Sequence, residues 1–207
     1  GMTVVAIGYG GTFVGAFALS EALKEDARQT IGVLHRLGVR TVMLTGDNRM
    51  TAKTIADRLG IGEFYAELLP GDKIDLIQKM QAEGYRVAMV GDGINDAPAL
   101  KQADVGIAIG TGTDVAIEAA DIALVSRSLL AVYRAFVISR KTFDKIKQNL
   151  FWAFFYNVIA IPLAMTGNLH PLVAEVAMAF SSINVVINSL LLGRTIEALH
   201  RKERLDV

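Results

Sequence analysis

Gly91–Leu100 reads GDGINDAPAL and follows directly on the apolar run Val87–Val90; this stretch decides the fold. A short apolar run bounded by glycines reads as a buried strand. Asp92 then stands at the strand's carboxyl end, and Asp96 opens a helix with Pro98 in its first turn. Open parallel sheets bind their ligands at that edge. Two carboxylates this close repel each other unless a cation lies between them, and hard oxygen ligands suit Mg²⁺. An Asp-Gly turn leading into an N-cap is the plainer alternative. The whole GDGxND pattern at a strand end favours a metal and phosphate site.

Working outward, neighbouring segments alternate between strand and helix patterns. Thr3–Ile7 and Thr12–Leu19 flank the glycine-rich turn Gly8–Gly11 and predict a β-hairpin. A helix from about Asp26 carries Ala27, Ile31, Leu34 and Leu37 at helical spacing and stops at Gly38. Strand Arg40–Leu44 leads into Thr45-Gly46-Asp47, then a helix through Ala52, Ile55, Ala56 and Leu59 ends at Gly60. After a short connection come helix Asp72–Glu83, strand Arg86–Val90 and helix Asp96–Gln102. Strand Val105–Ile109, a short helix near Asp114–Ala119 and strand Ile122–Val125 complete the series. Such alternation over short links implies a parallel α/β sheet covered on both faces.

Charge is distributed unevenly. The 207 residues carry 21 basic and 21 acidic side chains, so nothing suggests a nucleic-acid surface, and the absence of cysteine excludes disulfides and thiolate metal sites. From Asn149 to Gly193 the only ionisable groups are Tyr156, His170 and Glu175. Two apolar runs, Asn149–Thr166 and Leu172–Gly193, fill that region around GNLHP. As helices they span roughly 27–33 Å, the thickness of a bilayer core. Arg140, Lys141, Lys145 and Lys147 precede the first run, Arg194, Arg201, Lys202 and Arg204 follow the second, and the loop has no Lys or Arg. That asymmetry predicts a transmembrane hairpin with both ends cytoplasmic and Trp152 at the inner interface. A long helix from about Ser128 is expected to join the first span. The opening Gly1-Met2 has no signal-peptide pattern and fits a piece cut from something longer, or a cloning remnant.

Three loops are expected to converge at the sheet's carboxyl edge: Thr45-Gly46-Asp47, the GDGIND loop, and the helix start bearing Lys73. A threonine hydroxyl and an exposed amide can hold phosphoryl oxygens, and a lysine can neutralise developing charge. Asp92 can hold Mg²⁺, while Asn95 and Asp96 orient the loop. Singly, each of these is more often a turn or a solvated side chain; their joint order carries the reading.

The arrangement resembles the haloacid dehalogenase superfamily, and more narrowly the phosphorylation domain of P-type ATPases. Thr45–Asp47 match that family's threonine-glycine-aspartate loop, Lys73 its motif lysine, and Gly91–Asp96 its GDGxND loop. Val105–Asp121 resembles the following segment in heavy-metal pumps, which makes Gly110-Thr111-Gly112 a structural turn. The resemblance implies ATP and Mg²⁺ as cofactors, with Asp92 and Asp96 at the metal, and catalytic roles for Thr45, Gly46, Asp47, Lys73, Asn95 and Asp96. The family's nucleophile lies in an Asp-Lys-Thr-Gly-Thr loop that residues 1–207 do not contain. The histidine-proline and Thr-Gly-Glu signatures of its nucleotide-binding and actuator domains are absent too, since His170-Pro171 falls in the loop between spans.

The expected fold is therefore α/β, an incomplete Rossmann-like parallel sheet of haloacid dehalogenase type followed by an α-helical transmembrane hairpin. By the resemblance, residues 1–19 would be the end of a nucleotide-binding domain and the return strand, 20–127 form the C-terminal part of the phosphorylation domain, 128–148 link it to the hairpin 149–193, and 194–207 form a cytoplasmic tail.

Polar groups within the spans suggest the cargo. Glu175, Met178 and Ser182 share one face of the second span, with Ser181, Asn184 and Asn188 on the adjacent face; the first offers Tyr156 and Asn157. Pro162 leaves the carbonyl of Val158 without its helical donor. A thioether beside hydroxyls and an amide, with no carboxylate at mid-depth, favours Cu(I) over Zn²⁺ or Ca²⁺. Helix glue is the plainer reading, and is preferred for Ser181, Asn184 and Asn188. Copper-transporting P-type ATPases carry a Tyr-Asn pair and a Met-x-x-Ser-Ser in their last two spans, so the resemblance makes Tyr156, Asn157, Met178 and Ser182 Cu(I) ligands, with Ag(I) a possible second cargo. Zinc pumps carry a lysine and an aspartate there, which this sequence lacks, while Glu175 lies near the outer exit.

The expectation is thus part of an ATP-driven copper translocase, inactive without its remaining N-terminal part and embedded in the lipid bilayer. A soluble phosphatase of the same superfamily, extractable without detergent, is one alternative. A non-catalytic membrane-bound regulatory module, with no nucleophile encoded upstream, is the other.

Overall fold

A computed structural model describes residues 3–19, 23–92, 94–110, 114–126, 128–167 and 170–203. It comprises two compact units, Gly1–Arg134 and Ala135–Val207. The first begins with the hairpin β1 (Thr3–Tyr9) and β2 (Thr12–Leu19), antiparallel with a bulge at Ile7/Gly8. Gly10 and Gly11 make its turn at φ of 59° and 81°, the left-handed region glycine enters without strain. Tyr9, Phe13, Val14 and Phe17 remain exposed.

Helices and parallel strands then alternate as α1 (Ala27–Arg36), β3 (Val42–Leu44), α2 (Arg49–Leu59), β4 (Glu63–Tyr65), α3 (Pro70–Ala82) and β5 (Ala88–Gly91). A 3-10 turn (Ile94–Asp96) leads into α4 (Ala97–Gln102), followed by β6 (Val105–Ile109), α5 (Asp114–Ala119) and β7 (Ile122–Leu124). The helix starts are locally encoded. The Asn48 side chain accepts from the Thr51 N–H at 2.9 Å to cap α2, and Gly60 ends that helix at φ 75°. The Asp72 carboxylate accepts from the Leu69 N–H at 2.8 Å, which starts α3 at Pro70, two residues before the expected Asp72.

The strands are parallel, as expected of an incomplete sheet, and form two ladders, β3–β4 and β5–β6–β7. Strand β4 falls in the stretch read as a plain connection; three residues are too few for periodicity to register. Leu44 of β3 nevertheless packs on the core cluster of Ile77, Met89, Ala99 and Leu100. The two ladders therefore share a core without hydrogen-bonding each other. A second cluster, Ile107, Ile109 and Val132, carries Val90, Leu124 and Leu129 at its margin.

Helix α6 (Leu130–Met165) starts in the first unit, where Ala131 and Val132 are buried, so its first turn belongs with the α/β core. Asp26 holds that start: its carboxylate accepts from Ser128 Oγ at 2.5 Å and from the Leu130 N–H at 3.0 Å. Burial pushes the Asp26 carboxyl up, but the bonds from Ser128 and the backbone outweigh it and hold it below the usual carboxylate range.

In the second unit, α6 runs through Pro162, and α7 (Pro171–Glu203) follows. Leu130–Met165 and Leu172–Gly193 are long and apolar enough to cross a membrane, and none of their apolar windows is buried. Helix α7 continues through the stretch expected to be a tail as far as Glu203. Asn168 and Leu169 of the loop between α6 and α7, Gly93, Thr111 and Gly112, and residues 204–207 lie outside the described residues, as do the side chains of Arg194, Arg201 and Lys202.

Candidate functional site

The site is built from strand ends. β3 ends at Leu44, so Thr45-Gly46-Asp47 turns off its carboxyl end, pinned to β4 by a bond from the Thr45 N–H to the Tyr65 carbonyl at 3.0 Å. The Thr45 hydroxyl donates to Asp47 Oδ2 at 2.9 Å and accepts from the Asp47 N–H at 3.1 Å. This local ring holds the threonine hydroxyl at the strand tip. The Leu68 N–H donates to the Thr45 carbonyl at 3.1 Å and closes the loop against the approach to α3.

Strand β5 ends at Gly91, and Asp92 follows it, exposed to solvent. Gly91 is required by contact. A Cβ there would lie 2.8 Å from Asp96 Cβ and 2.9 Å from its Oδ2. The Asp96 side chain therefore folds back over the strand end.

Lys73, in the first turn of α3, reaches that same carboxylate. Its Nζ donates to Asp96 Oδ1 at 2.6 Å, with side-chain exposures of 13% and 17%. Asp96 Oδ1 thus holds Lys73; the sequence also gives this carboxylate a share of Mg²⁺, and the lysine contact involves Oδ1 alone. Asn95 is exposed beside it. Lys73 and Asp96 are brought together; Thr45 and Asp92 stand at the tips of β3 and β5. Among the described residues no group of three His, Cys, Asp or Glu side chains could hold a metal by itself.

In the second unit, the side chains singled out for cargo bond to their own helices. Asn157 Nδ2 donates to the Ala153 carbonyl at 2.8 Å, and Ser182 Oγ to the Met178 carbonyl at 3.2 Å. Tyr156 lies half-buried among Trp152 and Phe155, its ring 6.2 Å and 6.1 Å from theirs. Met178 is 68% exposed. No described hydrogen bond joins Tyr156 or Asn157 to Met178 or Ser182.

The helices instead meet at Lys145, Asn149, Asn188 and Ser189. From sequence, Asn188 is helix glue, Lys145 a basic flank and Asn149 the start of the first apolar run, with no contact among them foreseen. The available signal is an amide near the end of each apolar run that lies away from the loop between them.

A family model described as haloacid dehalogenase-like hydrolase matches residues 3–104. Over 194 residues the chain is 55% identical to a probable copper-exporting P-type ATPase V of Mycobacterium tuberculosis, covering 94% of this chain and 25% of that protein. A copper-exporting P-type ATPase of Staphylococcus haemolyticus is 52% identical, with 94% of this chain and 24% of that protein covered. A crystal structure of a zinc-transporting PIB-type ATPase in an E2.Pi state superposes with a TM-score of 0.82 at 41% identity, over 93% of this chain and 32% of that one. The chain spans about a quarter of the length of the curated relatives it matches.

Proposed function

We propose, from the premise that this chain belongs to the P-type ATPases, that it supplies phosphoryl-transfer loops and two cargo-binding membrane helices to a copper(I)-exporting pump. The observation that carries this reading is the Lys73–Asp96 pair at the GDGxND loop, in a chain at least 52% identical to copper exporters of two genera.

The residues fit a phosphoryl site that needs one more strand. β3 and β5 each have a ladder partner on one side only, and they share a core through Leu44. A strand between them would end between Thr45 and Asp92. We assign that place to the strand bearing the aspartate that ATP phosphorylates.

Thr45 and the Gly46 amide would then hold transferred oxygens, while Asp47 keeps the Thr45 hydroxyl in place. Lys73, oriented by Asp96, would offset charge on the nucleophile and the phosphoryl group. Asp92 fits Mg²⁺, because that ion takes one or two carboxylates and completes its shell with water and phosphate oxygens. When bound, it supplies neutralisation of phosphoryl charge. Asp96 holds Lys73 through Oδ1, and its other carboxylate oxygen stands as the second Mg²⁺ candidate beside Asp92.

Tyr156, Asn157, Met178 and Ser182 are the cargo ligands in this reading, with Cu(I) favoured by the thioether and Ag(I) as a chemically similar ion. Both termini face the cytoplasm, following the basic flanks of the hairpin. Measuring copper-stimulated ATP hydrolysis in the complete pump tests the reading. Met178→Ala is expected to abolish stimulation while leaving phosphorylation by inorganic phosphate intact. Undiminished stimulation would remove Met178 from the path.

A further inference from the structure

We propose that Asn149, Asn188 and Ser189, together with Lys145, form a polar clasp that fixes the axial register of α6 against α7, and that this register levels Tyr156–Asn157 with Ser181–Ser182. These are positioning residues, and their link to cargo rests on the copper reading above; the register itself does not.

The contacts are reciprocal. Asn188 Nδ2 donates to Asn149 Oδ1 at 2.7 Å, and Asn149 Nδ2 donates to Ser189 Oγ at 3.0 Å. Lys145 Nζ donates to Asn188 Oδ1 at 2.6 Å, with Gln148 Oε1 at 3.3 Å as a second acceptor. Both ends of both amides are therefore used. Among apolar spans, side-chain hydrogen bonds between helices are what distinguish one axial setting from the next.

The arithmetic of two antiparallel helices does the rest. With Asn149 beside Ser189, each step along α6 is matched by a step back along α7. Seven steps set Tyr156 level with Ser182, and eight set Asn157 level with Ser181. At 1.5 Å per residue both pairs lie roughly 10–12 Å beyond the clasp, with Met178 about one turn further. A slip of one turn would face Asn149 with Val185 or Gly193 in place of Ser189. The slip toward Asn184 keeps one amide pair and loses the hydroxyl. The level also brings Ser181, read from sequence as glue, to the height of Asn157.

The chain has no cysteine, so engineered thiols report the register directly. Ala153 and Val185 each lie four residues from the clasp and are level, whereas Leu192 lies on nearly the same face of α7 as Val185, seven residues away; all three are half-buried. In membranes of cells expressing the chain, a short bis-methanethiosulfonate reagent should join Ala153→Cys to Val185→Cys at least about fivefold faster than Ala153→Cys to Leu192→Cys. Asn188→Leu should bring that ratio toward one, Lys145→Met and Ser189→Ala should lower it in part, and Asn188→Asp, which keeps an acceptor for Lys145, should restore most of it. If Asn188→Leu fails to accumulate, the other three variants carry the test. A ratio near one in the unsubstituted clasp, or a ratio that none of these changes lowers, overturns the proposal. The assay contains no copper, so an error in the cargo assignment leaves its outcome unchanged.

Discussion

Lys73 Nζ lies 2.6 Å from Asp96 Oδ1, a partly buried ion pair joining the first turn of α3 to the loop after β5 across 23 residues of sequence. The same carboxylate packs over Gly91, so strand end, loop and lysine form one unit. Removing one member of such a pair leaves the other charge partly desolvated. Lys73→Met or Asp96→Asn is expected to cost about 1–3 kcal/mol, with the double substitution costing less than the sum. Thermal unfolding of the detergent-solubilised chain in a double-mutant cycle measures this; strict additivity would mean the pair is not coupled.

Gly106 sets a second steric requirement. A Cβ there would lie 2.5 Å from the Leu100 carbonyl oxygen, in the packing of α4 against β6. Backbone cannot yield as a flexible side chain can, so Gly106→Ala should destabilise the α/β unit by about 1–3 kcal/mol. A melting temperature unchanged from the parent would contradict the tight approach.

Thr30 is 1% exposed, and its hydroxyl has no hydrogen-bond partner among the described residues. Thr30→Val keeps the shape and removes a desolvated hydroxyl, so it should stabilise the chain by about 1 kcal/mol. A loss of stability on the same substitution would reveal a partner for the hydroxyl.

Acid stability should report on Asp104. The Val87 N–H, Arg86 and Gln81 all donate to its carboxylate and hold its pKa down to about 2. The unfolded value is about 3.9, so this carboxylate stabilises the folded chain above roughly pH 4, and the contribution is lost as pH falls toward 2. Asp104→Asn should flatten the stability profile across that window. An identical acid slope in the variant would exclude this group as its source.

Much of this was legible in the sequence because the signals are local. Gly60 ends α2 as its sequence position implies, and the GDGxND loop follows a strand as expected. The division of the sheet was not legible, because it depends on which strands become neighbours, and three-residue β4 carries too little pattern. The contact between Asp96 and Lys73 is not legible in the sequence for a similar reason. Its partner Lys73 lies in another element, and carboxylate chemistry alone allows either a metal or an ammonium group. In the membrane helices composition exposed the spans, but the clasp at Asn149 and Asn188 requires a register that neither helix specifies alone.

Cargo selection is the centre of the functional account, and the relatives divide on it, with copper exporters among the similar sequences and a zinc transporter among the similar structures. The direct measurement is ATP-driven metal uptake into inside-out membrane vesicles containing the complete pump, with Cu(I) and Zn²⁺ supplied separately. Accumulation of Cu(I) but not Zn²⁺, abolished by Met178→Ala, is the predicted result. Accumulation of Zn²⁺, or Cu(I) uptake indifferent to Met178→Ala, would contradict it.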